Sequence, residues 1–249
     1  MRCSFQVSLF VLLVASVVTV RAQTVSEQYL LAAANQDRAA KGLAPLRVDT
    51  HLSVAARVHA VEMARHGGIS HQFSGEPDVA GRAGAAGAKF SLVTENVAEA
   101  SNAPLIHDLW MHSAGHRRNL LDPQVDSVGI SVVQQKGQLY AVEDFARTVV
   151  HVSLSGQEAA VGSMLAGTGI AVLPPNNDAR ETCAMSKGYA GSRQPWFLMR
   201  YTTADLSRLP DELTARLATG RFHEAVVGAC TIGKQGPFAS YSLAVLLYP

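Results

Sequence analysis

The chain has 249 residues, of which 48% are hydrophobic and 16% charged, and its formal net charge is +1. A chain this apolar can bury a core, which excludes wholesale disorder. The charge is too balanced for a nucleic-acid partner and leaves no acidic tail, so we expect function to reside in a specific site.

The first 22 residues have the pattern of a secretory signal peptide. Arg2 supplies the positive charge, an apolar stretch follows over residues 5–20, and Val20-Arg21-Ala22 offers small residues at a cleavage site. The alternative is an uncleaved membrane anchor, but the apolar stretch is shorter than the roughly 20 residues that a span needs. We therefore predict cleavage after Ala22 and a secreted protein, extracellular or periplasmic, that does not span the membrane.

Hydrophobic periodicity and capping residues predict the elements of the first half. Helices are expected over residues 26–41, 50–66, 79–86 and 104–111, and strands over 127–135 and 139–146. Thr24 or Ser26 can cap the first helix, and Gly67 ends the second. Lys136-Gly137 between the two strands is typical of a hairpin turn.

The second half predicts a smaller mixed module. Helices are expected over residues 157–165 and 209–219, and strands over 196–202, 225–231 and 240–248, with a Pro-Pro-Asn-Asn turn at 174–177. No internal repeat is apparent. A small antiparallel sheet covered by helices is the simplest α+β arrangement. We therefore divide the chain into a signal peptide (1–22), a first domain (25–150) and a C-terminal α+β module of unknown type (151–249).

Two cysteines remain after the predicted cleavage. Cys3 lies in the signal segment, which leaves Cys183 and Cys230. Two cysteines in an exported chain most often pair, so we predict a Cys183–Cys230 disulfide. Two buried free thiols are the alternative.

Four sequence blocks in the first domain carry a resemblance to a known family. The blocks are Ile69-Ser70-His71, Thr94-Glu95-Asn96-Val97, the run from Trp110 through Gly115-His116-Arg117-Arg118-Asn119 to Pro123, and Val128-Gly129-Ile130. In this order and spacing they resemble the bacterial branch of the CAP superfamily, the SCP-domain fold of cysteine-rich secretory proteins, antigen 5 and pathogenesis-related 1 proteins. The resemblance spans about residues 25–147 and implies an α-β-α sandwich with a three-stranded antiparallel sheet.

The same resemblance implies a cleft lined by two histidines and two glutamates, where some family members bind zinc or a similar divalent ion. His71 and His116 match the two histidines, and Glu95 matches the first glutamate. Ser113 stands where the family has its second glutamate, so the cleft keeps a triad. Asn96, Ser113 and Asn119 lie in the matched blocks and are expected to support it.

The triad allows more than one chemistry. If Glu95 ligates with His71 and His116, a divalent ion such as zinc has three protein ligands and one open position, as in hydrolytic sites. If Glu95 instead orients a histidine, affinity for the ion falls. A purely structural role is the third interpretation, with Glu95 accepting hydrogen bonds and Asn119 bracing the turn after Trp110.

Three classes of function remain open at this level. The first is a non-catalytic or weakly catalytic cleft that binds a small ligand, lipid, peptide or cell-wall fragment, with or without a divalent metal. The second is a metal-dependent hydrolase that uses His71, Glu95 and His116. The third is a structural or adhesion protein of the cell envelope, with the C-terminal module as its contact surface. No nucleophile elbow surrounds Ser70 or Ser113, which argues against a serine hydrolase.

Overall fold

The computed structural model describes residues 23–231 and 238–249. The predicted signal peptide lies outside the described residues. No helix within them is both long enough and apolar enough to cross a membrane.

The first half of the chain forms a four-stranded sheet between two layers of helices. Its elements are α1 (Val25–Ala40), β1 (Arg47–Val48), α2 (Thr50–His66), α3 (Val79–Ala85), β2 (Phe90–Ala100), α4 (Ala103–His112), α5 (Ala114–Leu120), β3 (Ser127–Gln135) and β4 (Gln138–Thr148). The strand order is β1-β3-β4-β2, so β2 is an edge strand. Helices α1, α4 and α5 cover one face, and α2 and α3 cover the other.

Local sequence explains where these helices begin and end. Thr24 and Glu27 form a capping box at the start of α1. Asp49 accepts hydrogen bonds from the first amides of α2, and Gly67 ends that helix in the left-handed region at φ 68°. Trp110 is fully buried beneath α4, where its indole N–H donates to the carbonyl of Val97. The caps therefore set where the helices begin and end, and buried side chains such as Trp110 determine which side of a helix faces the sheet.

The second half builds another four-stranded sheet. Its elements are α6 (Leu154–Ala166), β5 (Ala171–Val172), α7 (Asn177–Ala184), β6 (Phe197–Thr203), α8 (Asp211–Leu217), β7 (Glu224–Cys230) and β8 (Tyr241–Tyr248). The strand order is β5-β7-β8-β6. The predicted disulfide is confirmed: Cys183 at the end of α7 is bonded to Cys230 at the end of β7. In the chain-entropy model this loop of 47 residues contributes about 4 kcal/mol.

The two halves share one topology, which corrects the expectation that no internal repeat is present. The order β5-β7-β8-β6 repeats β1-β3-β4-β2, and each first strand pairs in parallel while the other pairings are antiparallel. Helix α7 packs on one face of its sheet, as α2 does in the first half. Helices α6 and α8 pack on the other face, as α1 and α4 do. Helices α3 and α5 have no counterpart. The repeat is therefore one of topology, in a smaller and simplified copy.

A glycine at the same place in each copy confirms the correspondence. A Cβ on Gly129 of β3 would lie 2.1 Å from the backbone of Leu52, the third residue of α2. A Cβ on Gly228 of β7 would lie 2.1 Å from the backbone of Ala179, the third residue of α7. Each glycine thus lets a helix approach its sheet more closely than any side chain would allow.

The α+β prediction is confirmed, with several corrections of detail. The first sheet has four strands instead of three, because the short β1 adds beside β3. Strand β2 and helices α5 and α7 are not among the predicted elements. Trp196, the first residue of the strand predicted over 196–202, instead precedes β6 and has 60% of its surface exposed. The other predicted helices and strands are present, with ends displaced by a few residues.

Candidate functional site: a histidine cleft at the edge of the first sheet

The matched residues meet along the edge strand β2. Successive side chains of a strand point to opposite faces, so Glu95 lies on the face covered by α2, and Asn96 lies on the face covered by α4 and α5. Glu95 pairs across the sheet with Asp144, which in turn pairs with Gly129 beneath α2. Among the strands that the structure describes, β2 is the last of its sheet, so groups from both helical layers can reach the same edge.

The carboxylate of Glu95 is buried and fully engaged. Its Oε1 accepts a hydrogen bond of 2.9 Å from Nδ1 of His71, and its Oε2 accepts one from Nη2 of Arg82. The side chains of Glu95 and Arg82 are 3% and 2% exposed. A buried charge of this kind is tolerated because it is paired and hydrogen-bonded. Glu95 therefore has a cationic partner on one oxygen and orients the His71 ring with the other.

Arg82 belongs to a buried ion network that the sequence interpretation missed. The network consists of His59, Glu76, Arg82 and Glu95. Nδ1 of His59 lies 2.7 Å from Oε1 of Glu76, and Nε2 lies 2.6 Å from the carbonyl of Ser70. Both ring nitrogens of His59 thus face oxygen atoms, one on a side chain and one on the backbone. His59 and Arg82 together contact the two buried carboxylates beneath the cleft.

Arg82 also fixes the loop that carries His71. Its Nη1 donates to the carbonyls of Pro77, at 2.8 Å, and His71, at 3.3 Å. It lies 3.6 Å from Oε1 of Glu76 as well. Arg82 thereby connects helix α3, the loop after α2 and strand β2. The sequence does carry a signal for this role. His59 and Arg82 lie on the buried faces of α2 and α3, and the loop between these helices contains Glu76.

His71 and His116 face each other across the mouth of the cleft. Their ring centroids are 6.2 Å apart with an interplanar angle of 52°. The side chain of His71 is 62% exposed. Since Glu95 holds Nδ1, Nε2 is the ring nitrogen of His71 that is left for a ligand. The two imidazoles are close enough for one small group to contact both.

The two histidines are electrostatically unlike. The hydrogen bond that His71 donates to Glu95 is the main cause that raises the pKa of His71, while partial burial and the charge of Arg82 lower it. Burial lowers the pKa of His116, and the neighbouring His71 lowers it further. As the pH falls through the acidic range, His71 therefore takes up its proton before His116 does.

The asparagines brace the cleft from the opposite face of the sheet. Nδ2 of Asn96 donates to the carbonyl of His116 at 3.1 Å. Nδ2 of Asn119 donates to the carbonyl of Glu95 at 3.1 Å and to Oδ1 of Asn96 at 3.0 Å. These bonds fasten α5, which carries His116, to the strand that carries Glu95. The backbone of Ser113 begins α5, but in the part of the chain described its hydroxyl makes no hydrogen bond to the cluster.

Asp144 adds a further buried acid beside this network. It is fully buried, and burial together with the charge of Glu95 raises its pKa well above the ordinary value, while Arg82 acts in the opposite direction. Burial therefore favours the protonated form of Asp144. Because Asp144 lies beside Glu95, loss of the Arg82 charge would raise the pKa of Asp144 further.

The structure brings His71, Glu95 and His116 together, with Asn96 and Asn119 behind them. Across residues 23–231 and 238–249, no group of three or more His, Cys, Asp or Glu side chains is arranged to hold a metal ion. The metal site stays a prediction. The residues that fit an ion are the two imidazoles, because Arg82 already engages the Glu95 carboxylate.

The first half of the chain is thus an α-β-α sandwich with two histidines facing each other at the edge of its sheet. Comparison with known proteins identifies the family to which this domain belongs. Residues 31–150 match the model of CAP, the cysteine-rich secretory protein family. This part of the chain belongs to the CAP superfamily.

Individual relatives each match less than half of the chain. YkwD of Bacillus subtilis is 28% identical over 109 residues, which are 43% of this chain and 42% of that protein. The chain thus aligns with about two fifths of the length of this relative. An extracellular SCP-domain protein from Bacillus anthracis is similar in structure at 25% identity, covering 49% of this chain and 40% of that one, with a TM-score of 0.46. A cysteine-rich secretory protein from Staphylococcus aureus is similar in structure at 23% identity, covering 49% of this chain and 39% of that one, with a TM-score of 0.41.

Proposed function

We propose that the CAP domain is an extracellular binding module whose cleft recognises a small polar ligand, such as a cell-wall fragment, through His71 and His116. The observation that carries this proposal is the engagement of Glu95 by both Arg82 and His71. Glu95 acts as a positioning residue in this account, since it leaves only the exposed nitrogen of His71 free for a ligand. The disulfide supports an oxidising, extracytoplasmic location, as does the predicted signal peptide.

The polar surroundings favour a polar ligand over a lipid. The groups at the mouth of the cleft are two imidazoles, braced by amides and a buried ion network. Such groups donate and accept hydrogen bonds, which hydroxyl, amide and carboxylate groups of a cell-wall fragment can satisfy.

A divalent ion fits the same cleft in a limited way. Zinc would be held by His71 and His116, while Glu95 would act through His71 as the carboxylate partner of a ligating imidazole. Two protein ligands are fewer than the three of a hydrolytic centre. We therefore propose weak, auxiliary zinc binding and place the hydrolase second.

The test is calorimetric titration of residues 23–249 with two probes, a soluble disaccharide-peptide from cell wall and zinc chloride. We expect His71→Ala/His116→Ala to lose binding of both probes. Glu95→Gln should weaken zinc by about 10- to 100-fold, as expected for an outer-shell group. His112→Ala is the matched control, because this histidine lies on the same segment but is 78% exposed and bonded to Asp108.

Two outcomes would contradict the proposal. Equal binding of the cell-wall probe by wild type and the double variant would remove the cleft from ligand recognition. Submicromolar zinc binding together with chelator-sensitive hydrolysis of the fragment would favour the metal-dependent hydrolase.

A further inference from the structure

Arginines stack on aromatic rings at one corner of the C-terminal sheet. Arg193 lies 4.0 Å from the ring centre of Tyr248, Arg216 lies 5.2 Å from that of Phe197, and Arg221 lies 5.9 Å from that of Trp196. Each is within the range of a cation–π contact. Trp196, Phe197, Arg216 and Arg221 are called the Trp196 patch below.

The strand register places the rings at one end of the β6–β8 pair, with Phe197 on the face covered by α6 and α8 and Tyr248 on the face covered by α7. Phe197 begins β6 and pairs with Leu247 of β8, one residue before Tyr248. The backbone N–H of Trp196 donates to the carbonyl of Leu247 at 2.9 Å, which extends the ladder by one residue. Trp196 is therefore held by the sheet, although 60% of its surface is exposed. Most of the apolar surface of this indole is therefore in contact with water and does not contribute to the core.

The charge of the patch is positive. Glu224 neutralises Arg193 through an ion pair of 2.6 Å, and Asp178 is a second carboxylate near Tyr248. Arg216 and Arg221 form no ion pair with any residue that the structure describes. Stacking on a ring leaves the edge of a guanidinium able to donate hydrogen bonds and orders it in advance.

We propose that the Trp196 patch binds an acidic polysaccharide. The indole offers a flat apolar surface on which a sugar ring can stack. Arg216 and Arg221 offer planar donors whose geometry matches the carboxylates of such a chain. A bilayer is a poorer fit, because a single indole flanked by guanidinium groups lacks the apolar face of an interfacial element.

The patch is separate from the histidine cleft in sequence and chemistry. The cleft belongs to the CAP domain, whereas every member of the patch lies in the topological repeat. At the position of Glu95 in the sheet register the repeat has Arg200, which pairs with Ala244 opposite Gly228. The second copy has thus not retained the triad.

The test measures retardation of residues 23–249 in gels containing polygalacturonate or neutral dextran. We expect retention by polygalacturonate only, weakened at least 10-fold by Trp196→Ala and by Arg216→Gln/Arg221→Gln. Raising the salt from 50 to 500 mM should weaken it further, because exposed charges are screened. Arg208→Gln is the matched control, since that exposed arginine pairs with Asp211, and it should change affinity less than twofold. His71→Ala/His116→Ala should also bind normally, which separates this proposal from the cleft.

Circular dichroism establishes that each variant is folded. Equal retention by dextran, or no retention by either polymer, would overturn the proposal. So would Trp196-dependent sedimentation with phosphatidylglycerol vesicles in the absence of polygalacturonate binding, because that result would assign the patch to a membrane surface.

Discussion

Replacement of Arg82 by methionine is expected to destabilise the CAP domain by about 3–5 kcal/mol at neutral pH, the range measured when one partner of a buried ion pair is removed. Glu95 would lose its cationic partner while remaining 3% exposed, and Glu76 would lose its contact of 3.6 Å with Arg82. The measurement is urea unfolding followed by circular dichroism.

The loss should grow with pH. The pKa of Asp144 is raised in the folded protein, and Arg82 is the group that holds it down. A carboxyl whose folded pKa exceeds its unfolded pKa stabilises the fold below the unfolded value, and this contribution is lost as the pH rises through the folded pKa. Removing Arg82 raises the folded pKa of Asp144 further, so the deficit should be larger at a pH above the wild-type folded pKa of Asp144 than at a pH below it.

Two other variants make this result interpretable. Arg82→Lys keeps the charge and should fold with a smaller loss, which covers the case in which Arg82→Met does not fold. Arg65→Met removes the exposed pair with Glu62 on α2 and should leave stability almost unchanged at both pH values. A pH-independent loss below about 1 kcal/mol for Arg82→Met would show that the buried ion network does not stabilise the fold.

Gly129→Ala is expected to cost more than about 2 kcal/mol, because overpacking a rigid core forces the backbone to move. The new Cβ would lie 2.1 Å from the carbonyl carbon and 2.4 Å from the carbonyl oxygen of Leu52. Neither atom can turn away as a flexible side chain would. Thermal unfolding monitored by calorimetry checks this expectation.

Gly228→Ala should have a comparable effect on the C-terminal sheet, since its Cβ would meet the carbonyl of Ala179 at 2.1 Å. Gly115→Ala is the matched control. It lies within α5 with nothing within 4 Å of the added Cβ, and alanine favours a helix by roughly 0.5–1 kcal/mol. If Gly228→Ala proved as harmless as Gly115→Ala, the close approach of α7 to β7 would be wrong.

Local patterns explain how much of the fold was predictable. Helix α2 follows directly from the spacing of Leu52, His59 and Met63, all buried, and from the caps Asp49 and Gly67. The β3–β4 hairpin follows from alternation and from Lys136-Gly137. These elements depend on neighbours within a few residues, which is the range over which sequence pattern is informative.

Elements without a local signal were missed. Helix α7 has eight residues and begins at the last residue of the Pro-Pro-Asn-Asn segment, so its N-cap Asn176 is indistinguishable from a turn residue. The topological repeat is hidden because the second copy lacks α3 and α5 and carries Arg200 at the register position of Glu95. Topology depends on which strands pair, and pairing is not encoded in a short window.

The candidate site was predictable in part for the same reason. The matched blocks identified His71, Glu95 and His116, which the structure brings together. They did not identify Arg82 as the partner of Glu95, or His59 as the partner of Glu76. Both contacts join segments more than ten residues apart in the chain through long side chains. The metal hypothesis changes accordingly, because a glutamate bound to arginine is a poorer ligand than a free one.

The measurement that tests this account most directly is a proton–carbon NMR titration of the histidine rings in metal-free buffer. It compares wild type with Glu95→Gln. The account predicts that His71 titrates above and His116 below the ordinary value of 6.5, and that Glu95→Gln lowers the pKa of His71. Titration of both histidines at the ordinary value, or a His71 pKa that Glu95→Gln leaves unchanged, would contradict the claim that Glu95 positions His71 at the mouth of the cleft.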